Sequence, residues 1–156
     1  MTLPARSAPA LSGTAELCAY LGLLPLVLCP LGIVFSPNYA LRDLFQQIAL
    51  AYGAVVLAAL GAVHWGLALT GQMPWRPQRI AGSAMPALCG AASVVLGGQR
   101  GLALLVVALG VFWLYEHRAV AAELPDVYLR LRRNLTLAGC SLLALTLFAS
   151  DRVGLL

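Results

Sequence analysis

The chain has 156 residues, 61% hydrophobic and 10% charged, against roughly 25% charged and 45–50% apolar residues in a typical soluble domain. So apolar a chain cannot cover a water-facing surface, which excludes a soluble globular protein and leaves the bilayer as its solvent. The net charge of +4 comes from ten basic residues, all arginine; they flank apolar runs, so the expected partners are anionic lipid head groups and not nucleic acid.

In chain order, residues 1–15 form a short polar segment, too weakly basic for a transit peptide. The apolar run that follows is long for a signal sequence and has no clean small-x-small cleavage site, so it is read as a first transmembrane helix over about Glu16 to Phe35, kinked by Pro25 and Pro30. A turn at SPNYALRD leads to a second and longest span, from about Leu44 to Leu69. GQMPWRPQR is a loop, and a third span covers about Ile80 to Leu96, bent at Pro86. GGQR allows only a tight connection to a fourth span, about Gly101 to Tyr115. A fifth runs from about Leu135 to Ala149, and residues 151–156 form a short tail. The expected fold is an all-α integral membrane bundle of five transmembrane helices, a single domain over residues 16–150. The four cysteines (Cys18, Cys29, Cys89, Cys140) lie far apart inside apolar runs. They are read as small hydrophobes, not as a metal site.

Arginine counts in the short loops set the orientation. Arg6, Arg76, Arg79, Arg118, Arg130, Arg132 and Arg133 fall on one side of five spans, and Arg42, Arg100 and Arg152 on the other. The N-terminus is therefore expected in the cytoplasm and the C-terminus in the periplasm of a bacterial inner membrane.

Two features stand out. His64 lies in the apolar run GAVHWGLAL, and at 100° per residue it shares a helix face with Gly53, Leu57, Leu60 and Gly61. A second stripe, Ala54, Ala58, Ala62 and Gly66, repeats every four residues as close helix packing in membranes requires. An intramembrane imidazole raises a functional hypothesis by default. A bis-histidine haem needs a partner at matching depth. The only other histidine, His117, is placed roughly 9 Å nearer the membrane surface at 1.5 Å per residue. The favoured reading is a polar tie between helices, with a pocket for quinone, haem or lipid near His64 as the alternative; no cofactor and no metal is expected.

The other feature is the polar stretch Tyr115 to Thr136. Glu116, His117 and Arg118 end the fourth span, and AVAAEL prolongs it. Pro125 breaks the chain, and Asp126 caps a new helix beginning near Val127. Arg130, Arg132 and Arg133 then anchor at the head groups with snorkelling side chains, or serve as a docking surface in which Glu116 and Glu123 pair some of the arginines. With Trp75, Arg76, Arg79 and Arg118 they make up the expected interface for anionic lipid or a partner. Asn134-Leu135-Thr136 matches a glycosylation sequon but lies on the expected inner face.

The segments AYGAVVLAALGAVHWGLAL (51–69), PWRPQRIAGSAMPAL (74–88) and YLRLRRNLT (128–136) resemble an uncharacterised bacterial membrane family that also includes mitochondrial transmembrane protein sixty-nine. The resemblance runs from about Leu17 to Leu147 and implies a small multi-span inner-membrane protein, with no activity attached. It carries over His64, Trp65, Trp75, Arg76, Arg130 and Thr136 as positions of interest. Val127 and Tyr128 stand where the family commonly has an aromatic pair.

Two roles fit. The first is a non-enzymatic accessory or assembly subunit packed against a larger energy-transducing membrane complex, with other integral membrane proteins as partners. The second is a binder or carrier of a small hydrophobic ligand near His64. An intramembrane enzyme would need a nucleophile with its base, paired acids or a histidine-rich metal motif, and neither HExxH nor GxSxG is present. No enzyme activity is expected.

Overall fold

The computed structural model describes residues 13–71, 74, 76–119 and 126–153, and among these it is helical throughout, with no strand. Six helices follow in order: α1 (Gly13–Leu21), α2 (Leu24–Phe35), α3 (Tyr39–Leu69), α4 (Pro77–Leu96), α5 (Gly98–Ala119) and α6 (Asp126–Val153). The helices α1 and α2 form one apolar unit, Gly13–Phe35, long enough to cross a membrane. So are α3, α5 and the Asp126–Ser150 part of α6. In α4 the apolar stretch is shorter, Ile80–Leu96, at the lower edge of the roughly 17–25 residues a spanning helix needs. The bundle thus has five apolar helical units, four of them long enough to cross, and large apolar side chains such as Val95, Phe35, Phe148 and Val55 point outward. In water such a surface would aggregate; in a bilayer it meets lipid.

The first span breaks where Gly22 and Leu23 make a tight turn, with the Leu23 amide donating to the Tyr20 carbonyl at 2.9 Å. Pro25 follows inside the first turn of α2, where its missing N–H leaves no intrahelical bond unmade. Pro30 sits inside the helix without ending it. The kink expected at the prolines thus falls one turn earlier, at the glycine. The Gly22 carbonyl freed there accepts from the Tyr52 hydroxyl of α3 at 2.6 Å, which fastens the break to the centre of the bundle.

The third helix starts about five residues before the expected point because Asn38 caps it, its side chain accepting from the Ala40 amide at 2.9 Å. Arg42 adds a bond from Nε to the Ser36 carbonyl at 2.7 Å. Packed against α2, α4, α5 and α6, α3 is the central helix. Its 31 residues bury Ala49, Leu50, Gly53, Ala54, Leu57, Gly61, His64 and Ala68, one continuous face. Against this face lies α4. A Cβ on Gly61 would collide with the Ser83 backbone carbonyl, and one on Gly90 would meet the Ala54 carbonyl at 3.0 Å. Small residues here let the two backbones touch. At the other end of α4, Gly97 and Gly98 both have positive φ (63° and 51°), a conformation that glycine adopts without steric cost. They make the expected tight hairpin into α5.

The core of the bundle joins Leu26 and Cys29 of α2, Leu50, Ala54 and Leu57 of α3, Leu102, Leu105, Leu109 and Phe112 of α5, and Leu143 of α6. The buried row of α5 continues at the same spacing to Glu116. A hydrophobic stripe therefore ends in a carboxylate.

Candidate functional site

At the end of the bundle where α3 finishes, α5 finishes and α6 begins, four polar side chains meet inside the protein. Glu116 is 1% exposed, Arg132 4%, Thr136 5% and His64 6%. Arg132 donates from Nε to Glu116 Oε2 at 2.8 Å and from Nη1 to Thr136 Oγ1 at 3.0 Å. The first is a short, charge-assisted bond between opposite charges. His64 brings Nε2 to 3.5 Å from Glu116 Oε1, beyond good hydrogen-bond distance. Phe112 lies under the group, with the Arg132 guanidinium 5.8 Å from its ring centre and the His64 ring edge-on at 5.6 Å.

The local reasons are simple. His64 is on the buried face of α3 because it follows Leu57 and Gly61 at helical spacing. Glu116 continues the row Leu105, Leu109, Phe112 on α5. Arg132 shares a face of α6 with Thr136, Gly139 and Leu143, all buried, while Arg130 and Arg133 on either side are exposed. Burying an ion pair costs several kcal/mol per ion in desolvation, and that cost is offset only when geometry is good and the remaining polar atoms are satisfied. Here they are not all satisfied. His64 Nδ1 and Nε2, Glu116 Oε1 and Arg132 Nη2 have no hydrogen-bond partner. The cluster is bound together at its middle and open at both ends.

Beside the cluster lies a cavity of about 140 Å³ between the α1–α2 break, α3, α5 and α6. Arg132 and Thr136 form its polar wall; Leu23, Leu26, Val56, Leu60 and Leu109 are among its apolar ones, and Gly22, Gly53 and Gly139 leave room in it. His64 does not line this space. It stands behind, against Glu116 and Phe112. Of the residues grouped with His64 in the sequence, Gly53 and Leu60 line the cavity, together with Arg132 and Thr136.

The remaining residues singled out in the sequence lie as follows. Gly53, Leu57 and Gly61 are buried with His64, and Leu60 is half-buried. Of the second stripe, Ala54 packs on Gly90 and Ala58 is half-buried, but Ala62 and Gly66 are exposed. Position 66 has nothing within 4 Å of an added Cβ. The buried face of α3 runs through Ala54, Leu57, Gly61, His64 and Ala68, and a strict four-residue repeat drifts off that face because the helix has 3.6 residues per turn. Arg132 is not the surface anchor expected of it, since the α6 face it occupies turns inward. Arg76, Arg118, Arg130 and Arg133 are exposed, and Trp65 is 44% exposed. Trp75, Glu123 and the side chain of Arg79 lie outside the described residues. So do AVAAEL beyond Ala119, Pro125, and the side chain of Arg152. His117 is exposed and stacks on Trp113 at 5.6 Å between ring centres. Beside that stack, Asp126, Arg130 and Arg133 line a shallow groove of about 320 Å³.

A family model described as "Protein of unknown function (DUF3429)" matches residues 12–148. The chain belongs to this family. Within DUF3429 the matched region contains every member of the buried cluster and the whole wall of the cavity. Transmembrane protein 69 of Mus musculus is 31% identical over 134 residues, covering 83% of this chain and 54% of that protein. Transmembrane protein 69 of Xenopus tropicalis is 30% identical over 119 residues, covering 74% of this chain and 46% of its own length. The chain thus spans about half the length of the curated relatives it matches. No solved structure matches it. This DUF3429 chain is a multi-span helical membrane protein related to transmembrane protein 69.

Reasoning from sequence offered Glu116 as a partner for the arginines but missed that Arg132 and His64 meet it inside the protein. The signal was available: Glu116 extends a four-residue apolar register on α5, and Arg132 alone of the three arginines falls in register with Thr136, Gly139 and Leu143.

Proposed function

We propose that this protein is a membrane-embedded binder of a small hydrophobic ligand, seated in the cavity between the α1–α2 break, α3 and α6 and held at its polar end by Arg132. The observation that carries the reading is a guanidinium 4% exposed, with Nη2 unpaired, in the wall of an otherwise apolar cavity. An unpaired buried donor costs about 1–3 kcal/mol, more when charged. A ligand acceptor that takes up Nη2 recovers that cost, whereas a purely structural ion pair would be better served by a closed network. Intramembrane charges mark functional sites for the same reason. The role is binding and not catalysis. The site lies in a bacterial inner membrane, toward the cytoplasmic face if the arginine-rich loops set the topology.

The test uses the tendency of a ligand to stabilise the state that binds it. Protein washed extensively in detergent should lose thermal stability and regain it when a lipid-soluble extract of the native membrane is added back. Gly139→Leu, which places a side chain in the cavity at a position where an added Cβ meets nothing within 4 Å, should respond to neither step. An equal response in both proteins would defeat the proposal.

A second reading, an accessory subunit of a larger membrane complex, is favoured by the groove of Asp126, Arg130 and Arg133 beside the stacked Trp113 and His117. Aromatic and arginine side chains are enriched where proteins meet. Recovery of stoichiometric partners in a mild-detergent pull-down, lost on changing Arg130 and Arg133 to glutamate, would support it.

A further inference from the structure

We infer that the occupant of the Arg132 cavity is an uncharged single-ring carbonyl compound of the quinone type, its carbonyl oxygen received by Arg132 Nη2 and Thr136 Oγ1. The inference rests on the ligand-binding reading above and names the ligand's chemistry. Three observations carry it: size, charge and the unspent hydrogen-bond donors.

The cavity measures about 140 Å³. A dry apolar cavity of roughly 150 Å³ admits a benzene-sized ring, so the volume suits one six-membered ring. Its walls suit such a ring, with Leu23, Leu26, Val56 and Leu60 around it and glycines at 53 and 139.

Charge then decides between acid and neutral head groups. A lone buried arginine would invite a carboxylate or phosphate. This one already has its counter-ion, Glu116 Oε2 at 2.8 Å, and the two charges sum to zero. An anionic ligand would compete with the Glu116 carboxylate for the one guanidinium, and a buried charge left without its partner is costly away from water. A neutral head adds none.

The last observation is what the wall has left to offer. A guanidinium donates and never accepts. Arg132 uses Nε on Glu116 and Nη1 on Thr136, and Nη2 remains. The Thr136 hydroxyl accepts from Arg132 and keeps its own proton. Thr146 and Ser150, further along α6, spend theirs on carbonyls four residues back, Leu142 at 2.9 Å and Thr146 at 2.8 Å. Tyr52 spends its proton on Gly22. Both residues line the same cavity, so their unspent donors suit an oxygen with two lone pairs and no proton. A ring carbonyl supplies that; an alcohol or amine would bring a donor of its own.

The experiment measures binding of three probes with the same alkyl chain to full-length protein in detergent: an alkyl-1,4-benzoquinone, an alkylbenzoate and an alkylbenzene. Wild type is compared with Gly139→Leu, Arg132→Lys and Thr136→Val. Arg132→Lys keeps a cation for Glu116 while removing Nη2. A hydrogen bond to a charged donor is worth roughly tenfold to a hundredfold in affinity. Saturable binding of the benzoquinone, abolished in Gly139→Leu, weakened at least about tenfold in Arg132→Lys and more modestly in Thr136→Val, is the expected result. Thr136→Val carries the test alone if the lysine variant does not fold. Tighter binding of the benzoate would overturn the neutral-ligand inference and leave the binding function standing. Equal binding of the alkylbenzene would remove Arg132 and Thr136 from recognition. If no probe binds and Gly139→Leu also passes the delipidation test unchanged from wild type, both readings fail. If no probe binds but that test separates the two proteins, only the quinone-type assignment fails.

Discussion

Glu116 and Arg132 are 16 residues apart in sequence and pair at 2.8 Å inside the bundle, with His64 3.5 Å from the other Glu116 oxygen. Breaking a buried pair by removing one partner is typically worth 3–5 kcal/mol, whereas replacing both with apolar residues of similar volume is often neutral. Glu116→Leu alone should therefore destabilise the protein by about 3 kcal/mol or more. The double variant Glu116→Leu with Arg132→Met should lie much closer to wild type. Denaturant unfolding in mixed micelles measures the cycle, and equal, additive losses would show that the two do not act as a pair. The exposed arginines give the contrast: Arg130→Ala should change stability by no more than about 0.5 kcal/mol. From the sequence, His64 was recognisable as a buried polar residue because a histidine among glycines and leucines has nowhere else to go. The fate of Glu116 and Arg132 was harder to read. Both lie in a polar stretch near helix ends, where charges ordinarily snorkel to the surface, and only their register within α5 and α6 distinguishes them from their neighbours.

Helix contacts carry the next level. The approach of α3 and α4 depends on Gly61, whose Cβ position is taken by the Ser83 carbonyl. Backbone cannot step aside as a side chain can, so Gly61→Ala should cost about 1–3 kcal/mol as an overpacking change. Gly66→Ala on the exposed side of the same helix should be almost silent. Thermal denaturation of the two variants side by side tests this, and equal losses would contradict the packing described. The α1–α2 break makes a separate demand. Tyr52→Phe removes the one side-chain bond to the Gly22 carbonyl and should cost about 0.6–1 kcal/mol. Its effect should be concentrated in α1, seen as faster amide exchange over Gly13–Leu21 with α4 and α5 unchanged. Hydropathy revealed the five apolar cores of these helices but not their ends. The Asn38 cap and the Arg42 bond to Ser36 lengthen α3 with polar residues, and α6 starts at Asp126, one residue before the start read from Pro125 and Asp126. The break at Gly22 was hidden because two prolines just beyond it are the stronger signals, and both are accommodated within α2.

For the whole molecule, a central helix, α3, packs against α2, α4, α5 and α6, and the buried charged cluster lies at one end of the bundle. We propose that all five apolar units cross, which sets the termini on opposite sides of the membrane, with the N-terminus on the arginine-rich inner side. Reporter fusions should therefore be active in the cytoplasm at the N-terminus and in the periplasm at the C-terminus; both on one side would mean that α4, the shortest apolar helix, does not cross. The same arrangement sets an apolar cavity against a charged wall, and the central claim is that a small hydrophobic molecule fills it. The most direct test is native mass spectrometry of the protein released from mild detergent, purified from its own membrane without delipidation. The account predicts a one-to-one non-covalent adduct of ring-compound mass with an apolar tail, present in wild type and missing from equally stable Gly139→Leu. The same adduct on both proteins, or none on either, would contradict it.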